Sequence, residues 1–149
     1  DHLFAPKVAR EYAHSTSERH GPNHVLTGNC AGFLDPVFSS GVAFATESGL
    51  LAAELAHRQL QGGTVDWETE YAAHIREGAA VFHSYIEAWY NGELHTLFFA
   101  PNLRQDVKEK IVSVLAGQVW DRDNPFVTEH RRIISSLARV VALEMPRPA

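Results

Sequence analysis

Residues 28–41, G-N-C-A-G-F-L-D-P-V-F-S-S-G, constrain the fold more than any other part of this chain. The stretch is too rich in glycine and turn formers for a strand or a helix interior. It lies between a short strand pattern at residues 24–27 and a long small-residue helix pattern from about Val42. A strand feeding such a loop into Ser39-Ser40-Gly41 at a helix start brings unpaired backbone N–H groups and the positive end of the helix dipole to one place. That place favours an anion or an electron-rich ligand atom. Asp35-Pro36 sets a turn in the middle, because proline fixes its own φ and pushes the residue before it out of the helical region. The same residues also suit a plain connection in which Ser39 or Ser40 caps the helix, and local pattern leaves both readings open.

Upstream, residues 8–15 alternate like a half-exposed strand, and turn formers at residues 18–23 separate them from residues 24–27, so a β-hairpin is expected. Two strands alone do not hold together in water, so the hairpin reads as a remnant of a larger sheet. The first helix, from Val42 to about Gln61, stops at Gly62-Gly63 and carries Gly41, Ala45, Gly49, Ala52, Ala53 and Ala56 along one side. Glycine costs about 1 kcal/mol against alanine inside a helix, so Gly49 asks for the close approach of a backbone or a flat ligand. Tight packing of the helix on a sheet explains the stripe equally well. Asp66 is the expected N-cap of a second helix, with Glu68 and Glu70 in its first turn. Trp67, Tyr71, Ile75, Gly78, Phe82, Ile86 and Trp89 give that helix an aromatic face ending at Asn91-Gly92. Residues 93–100 form a short apolar piece before Pro101-Asn102. A third long helix covers about 103–116, with Leu103, Val107, Ile111 and Val114 inward and Gly117 after its end. Asn124-Pro125 opens a last helix to about Met145, whose buried side is Ile133, Ile134, Leu137, Val140 and Val141. The expected class is α+β, predominantly helical: a short β-hairpin followed by about four to five helices.

At 149 residues the chain has the length of one domain with one core. A net charge of -5 with no basic face excludes a nucleic-acid binder. Cys30 is the single cysteine, which rules out an intrachain disulfide and suits a reducing cytoplasm. The most apolar run, residues 41–56, is interrupted by Glu47 and Glu54 and is too short to cross a bilayer, so no membrane role is expected. The chain starts Asp1-His2-Leu3, without an initiator methionine or the character of a signal peptide, so it reads as part of something longer. Despite nine histidines there is no H-E-x-x-H, and no metal site is expected; Glu70 and His74 read as an exposed pair on one helix face. No G-x-S-x-G elbow, phosphate-binding G-x-x-x-x-G-K-[ST] loop or G-x-G-x-x-G fingerprint occurs, so any pyrophosphate site lies outside this sequence.

The run L-T-G-N-C-A-G-F-L-D-P-V-F-S-S-G-V at 26–42, continued by A-F-A-T-E-S-G-L-L-A-A-E, closely resembles the second FAD-contacting segment of flavin-dependent halogenases and related single-component flavin monooxygenases. W-Y-N-G at 89–92, L-F-F-A at 97–100 and V-W-D-R-D-N-P-F at 119–126 resemble the same family, so the resemblance covers most of the chain from about Arg10. It implies FAD as cofactor, with chloride or bromide as halide, and oxidation of halide by reduced FAD and oxygen. Where the family has Gly-Asp against the ribityl and phosphate part of FAD, this chain has Gly28-Asn29, which keeps hydrogen-bonding capacity and loses a carboxylate. The resemblance further implies that Asp35 and Pro36 lie beside the isoalloxazine ring, and that Ser39, Ser40, Gly41 and Val42 bring N–H groups to its pyrimidine edge. In a halogenase the backbone of Ser40 and Gly41 holds the halide. The directing lysine of that family lies upstream, so no catalytic residue is assigned in this chain.

The form D-P-V-F-S-S-G resembles the branch acting on phenolic, pyrrolic or carrier-protein-tethered substrates. The implied organisation is residues 1–62 as the C-terminal segment of an FAD-binding domain and residues 63–149 as a helical cap. The implied partners are the N-terminal half of the same flavoenzyme, a flavin reductase, an aromatic or carrier-bound substrate and a second copy in a homodimer. The chain alone is expected to be inactive. A non-halogenating flavin monooxygenase or reductase of the same fold, and a non-catalytic helical interaction module, stay open as alternatives.

Overall fold

The computed structural model describes residues 13–144. Its strands are short: β1 (His14–Ser15), β2 (His20–Gly21), β3 (His24–Val25) and β4 (Gly32–Phe33). β2 pairs antiparallel with β3, with Pro22-Asn23 as a two-residue turn between them, and β1 pairs antiparallel with β4, His14 facing Phe33. The expected hairpin of residues 8–15 with residues 24–27 is thus replaced by two separate two-stranded sheets, and residues 8–12 lie outside the described part. Gly32 makes the β1–β4 pairing possible: its φ is +147°, and a Cβ there would stand 3.3 Å from the His14 carbonyl oxygen.

Six α-helices follow among the described residues: α1 (Gly41–Leu60), α2 (Ala73–Tyr90), α3 (Glu93–Phe98), α4 (Gln105–Leu115), α5 (Pro125–Thr128) and α6 (His130–Glu144). The fold is α+β and mainly helical. The apolar piece at 93–100 is largely helical, and the last expected helix is divided in two. Asn124 opens α5 by accepting from the Phe126 N–H at 3.0 Å, and the backbone leaves the helical region at Glu129, with φ −128° and ψ 32°. Asp66 caps the start of the second helix, its Oδ1 accepting from the N–H groups of Glu68 at 3.1 Å and Thr69 at 3.2 Å. The first turn after it, Glu68–Ala72, is a π turn with no signal in the sequence.

The core is organised around α2. One cluster joins α2 to α3, α4, α5 and α6, and a smaller one, Ala52, Leu55, Tyr71 and Ile75, fastens α1 to the start of the second helix; Phe44 and Trp120 pack against both. Gly78 explains itself here. A Cβ on it would lie 2.4 Å from Trp120 Cζ2, so the glycine lets the indole rest on the helix backbone while its Nε1–H donates to the His74 carbonyl at 2.8 Å. Tyr85, missing from the expected stripe, is fully buried and donates to the Phe126 carbonyl at 3.1 Å. On α6, Ile134, Ala138 and Val141 are buried, whereas Val140 is 52% exposed and lines a surface groove with Leu103, Val107 and Leu137. One helix face cannot turn both 140 and 141 fully inward.

His74 pairs with Glu47 of α1 at 2.7 Å, and Glu70 pairs with Arg58, so the expected Glu70–His74 pair is not made. Both carboxylates are taken by residues from another element, which spacing along one helix does not reveal.

Gly78→Ala should lower stability by about 1–3 kcal/mol through overpacking against Trp120, read as a lower midpoint in urea unfolding with an unchanged slope. A second expectation concerns His130, whose Nδ1 lies 2.6 Å from the buried Ser84 hydroxyl. Burial, and then the neighbouring Arg131 charge, hold its pKa below the ordinary 6.5. The unfolded chain therefore binds a proton that the folded chain resists, so this contribution is present above about pH 6.5 and is lost as pH falls through the lowered folded value. Thermal midpoints should fall between pH 7 and pH 5, and His130→Gln should flatten that part of the profile.

Candidate functional site

Beyond β3, Thr27 is extended, and Gly28 then turns left-handed at φ +54°, where a Cβ would meet the Ala45 methyl at 3.3 Å. The Gly28 N–H donates to Ser48 Oγ at 2.8 Å, and Ser48 is 1% exposed, so the loop hangs on the second turn of α1. The small residues Ala45 and Ser48 on α1 are what allow this approach. A 3-10 turn at Gly28–Cys30 closes with the Ala31 N–H on the Gly28 carbonyl at 3.0 Å, and the Asn29 carbonyl lies 2.8 Å from His14 Nε2.

After β4 the chain reaches Asp35, extended and 3% exposed. Its carboxylate accepts from the Val37 N–H at 2.8 Å and from the Tyr90 hydroxyl at 3.2 Å. Pro36 opens a second 3-10 turn, Pro36–Phe38, and Ser39 follows in the left-handed region at φ 53° and ψ 33°. Among the described residues Ser39 is the one non-glycine with positive φ, a conformation that costs energy and persists only where neighbours enforce it. Ser40 is buried and makes no side-chain cap, so the N–H groups of the first turn of α1 receive no bond from it.

Gly41 comes back to Asn29: a Cβ on Gly41 would lie 3.7 Å from Asn29 Oδ1. The two ends of the stretch therefore meet. Gly28, Asn29, Ser40 and Gly41 share the wall of a cavity of about 50 Å³ with Arg19, Phe44 and Ser48, room for water and not for a ring system. Asp35, Pro36, Ser39 and Val42 do not line that cavity. Asn29, Cys30, Pro36, Ser39 and Val42 form the exposed rim of the loop, with Val42 77% exposed. Asp35, the sole charged residue from 28 to 42, points inward to Val37 and Tyr90, so the rim carries no carboxylate.

The α1 face beyond this rim corrects one expectation. Gly49 meets nothing: a Cβ there would have no heavy atom within 4 Å, and Ala45 and Ala53 are exposed. Ser48 and Tyr90 were not singled out by motif, although Ser48 stands three residues after Ala45 on α1 and Tyr90 sits inside the W-Y-N-G run. Among the described residues no group of three His, Cys, Asp or Glu side chains could hold a metal ion. No described helix is long and apolar enough to cross a membrane.

Comparison with known proteins shows what the chain is similar to. The chain is a relative of flavoproteins and matches the C-terminal part of flavin-dependent halogenases. It is 31% identical over 120 residues to the 1H-pyrrole-2-carbonyl-(peptidyl-carrier protein) chlorinase of Pseudomonas fluorescens, a match covering 76% of this chain and 25% of that protein. It is 27% identical over 105 residues to the corresponding brominase of Pseudoalteromonas luteoviolacea, covering 68% of this chain and 25% of the relative. A crystal structure of a flavoprotein/dehydrogenase from Cytophaga hutchinsonii superposes with a TM-score of 0.89 at 46% identity, over 95% of this chain and 35% of that one. The chain thus spans about a quarter of the length of these curated relatives. No family model matches it.

Replacing the two neighbours on α1 should move stability in opposite directions. Ser48→Ala removes the acceptor of the Gly28 N–H and should cost about 1–3 kcal/mol, while Gly49→Ala, filling open space on a helix, should add about 0.5–1 kcal/mol. Denaturant unfolding of both variants checks the contrast.

Proposed function

We propose that this chain forms the C-terminal portion of an FAD-dependent oxidoreductase of the halogenase type, acting on aromatic, phenolic, pyrrolic or carrier-bound substrates. In this reading residues 1–62 complete the FAD-binding domain and residues 63–149 form a helical cap. The observation that carries it is the meeting of Asn29 with Gly41 at the open N-terminus of α1. That meeting puts a side-chain amide, able both to donate and to accept, beside helix N–H donors with no Cβ between them.

The residues fit part of a flavin. Gly28 and Asn29 would bind its ribityl and phosphate portion. Pro36 and Val42 offer apolar rim to a flat ring, and Ser40, Gly41 and Val42 would donate backbone N–H groups to the ring's polar edge; the expected Ser39 N–H is already taken, donating to the Pro36 carbonyl at 3.1 Å. The inward carboxylate of Asp35 keeps negative charge away from that edge, and the same N–H groups at Ser40 and Gly41 suit chloride or bromide. When bound, the reduced flavin with oxygen supplies the oxidising chemistry, and the protein supplies binding and position. The relatives named as pyrrole-carrier-protein halogenases support the choice of substrate class.

The remaining partners follow from what this chain does not provide. With a cavity of about 50 Å³ and no pyrophosphate motif, FAD needs the N-terminal portion of the enzyme. The exposed α1 face with Val42, Leu50 and Gly49 is the surface we assign to that portion, and a homodimer is the other use of it. A flavin reductase would deliver the reduced cofactor, in the cytoplasm, where Cys30 stays a thiol.

Two measurements test the reading. The 149-residue chain alone should bind FAD with micromolar or weaker affinity and show no turnover, since most contacts lie elsewhere; tight stoichiometric binding would contradict it. The complete enzyme, given reduced FAD, oxygen, chloride or bromide and a phenol or pyrrole substrate, should yield a product heavier by the halogen in mass spectrometry. An oxygenated product without halogen would sink the halogenase assignment.

A further inference from the structure

The C-terminal end of α2 holds the loop at two points. Trp89 packs edge-on against Phe38, ring centroids 5.6 Å apart, and the next residue, Tyr90, donates its hydroxyl to Asp35, 3.2 Å from Oδ2 and 3.5 Å from Oδ1. Asp35 and Phe38 bracket the turn Pro36–Phe38, so consecutive residues of one helix fix both ends of that turn. The carboxylate of Asp35 is shielded from water and depends on its protein donors, the Val37 N–H and the Tyr90 hydroxyl. Tyr90 itself is 67% exposed, so its ring adds little to the core, and its hydroxyl is the group that reaches Asp35.

We propose that Tyr90 is a positioning residue for the flavin-facing loop. By holding the Asp35 carboxylate it fixes the Pro36–Phe38 turn and the left-handed Ser39 behind it, and so aims the first N–H groups of α1. The contact joins residues 55 apart in sequence, one in the loop and one on the cap, so the cap does more than cover the site: it sets the loop's shape. This inference rests on the flavin reading of residues 28–42.

The test uses the complete FAD-loaded enzyme carrying Tyr90→Phe, with Tyr85→Phe as control. Tyr85 also loses a hydrogen bond, to the Phe126 carbonyl, but lies in the core away from the loop. Tyr90→Phe should raise the Kd for FAD about tenfold, the order expected for one hydrogen bond to a buried carboxylate. It should also shift the flavin visible band and speed hydrogen exchange at the Val37 N–H. Tyr85→Phe should lower the thermal midpoint and leave FAD affinity and the band in place. Unchanged affinity, band and Val37 exchange in Tyr90→Phe overturn the inference, as does equal weakening by both variants. Asp35→Asn separates the two levels: if it weakens FAD and Tyr90→Phe does not, the role of Tyr90 alone fails; if neither moves FAD, the positioning role of this contact fails; if the unaltered complete enzyme binds no FAD, the flavin reading fails and the inference with it.

Discussion

The indole of Trp120 resting on the bare backbone of Gly78 is the contact on which the rest of this structure depends. Its ring meets Phe44 of α1 at 5.5 Å, stacks on the His74 imidazole at 4.9 Å and packs against both hydrophobic clusters. Its N–H ends on the His74 carbonyl. A glycine in a helix interior sacrifices some helix stability, and here the large aromatic surface it admits offsets that loss. Because Phe44 lies in the first turn of α1, the same contact also fixes where the helix after the loop begins. Core packing and loop position are therefore one constraint.

From there the loop is secured by separate polar anchors. Ser48 takes the N–H of Gly28, Tyr71 donates to the Leu26 carbonyl at 2.5 Å, and Asp35 is held from α2. Each anchor comes from a helix and reaches a segment that has almost no regular structure of its own. Such a loop can keep an uncommon backbone, including the left-handed Ser39, because its surroundings over-determine it. The result is a rim of N–H groups and small side chains in which the charged group is turned away from the rim. Electrostatically that rim suits an electron-rich ligand edge better than a cation.

Helix limits were the most legible feature of the sequence. Gly62-Gly63 ends α1, Asp66 and Asn124 cap as their positions suggest, and Gly117, at φ +104°, follows α4 as a left-handed closing residue. Strand pairing was not legible, because two-residue strands such as β1 and β4 carry no period to read. The π turn at Glu68–Ala72 leaves no compositional trace. At the site, the glycine and turn pattern of 28–41 located the loop, while the partners that hold it, Ser48 and Tyr90, come from helices whose rotation depends on packing. Gly49 looked like a contact residue by the same small-residue logic that correctly implicates Ala45, and it faces open space in this chain.

Cys30 gains an experimental meaning from its position. It is the one thiol in the sequence, it is exposed, and it belongs to the 3-10 turn that Gly28 opens, next to Asn29. In this 149-residue chain a spectroscopic reporter attached there would need no engineered background, since no other cysteine of the chain competes for label. Its mobility would follow the same short turn that brings Asn29 to Gly41. The loop thus carries its own point of observation, and the order imposed on it from α2 can be watched without touching any residue that imposes it.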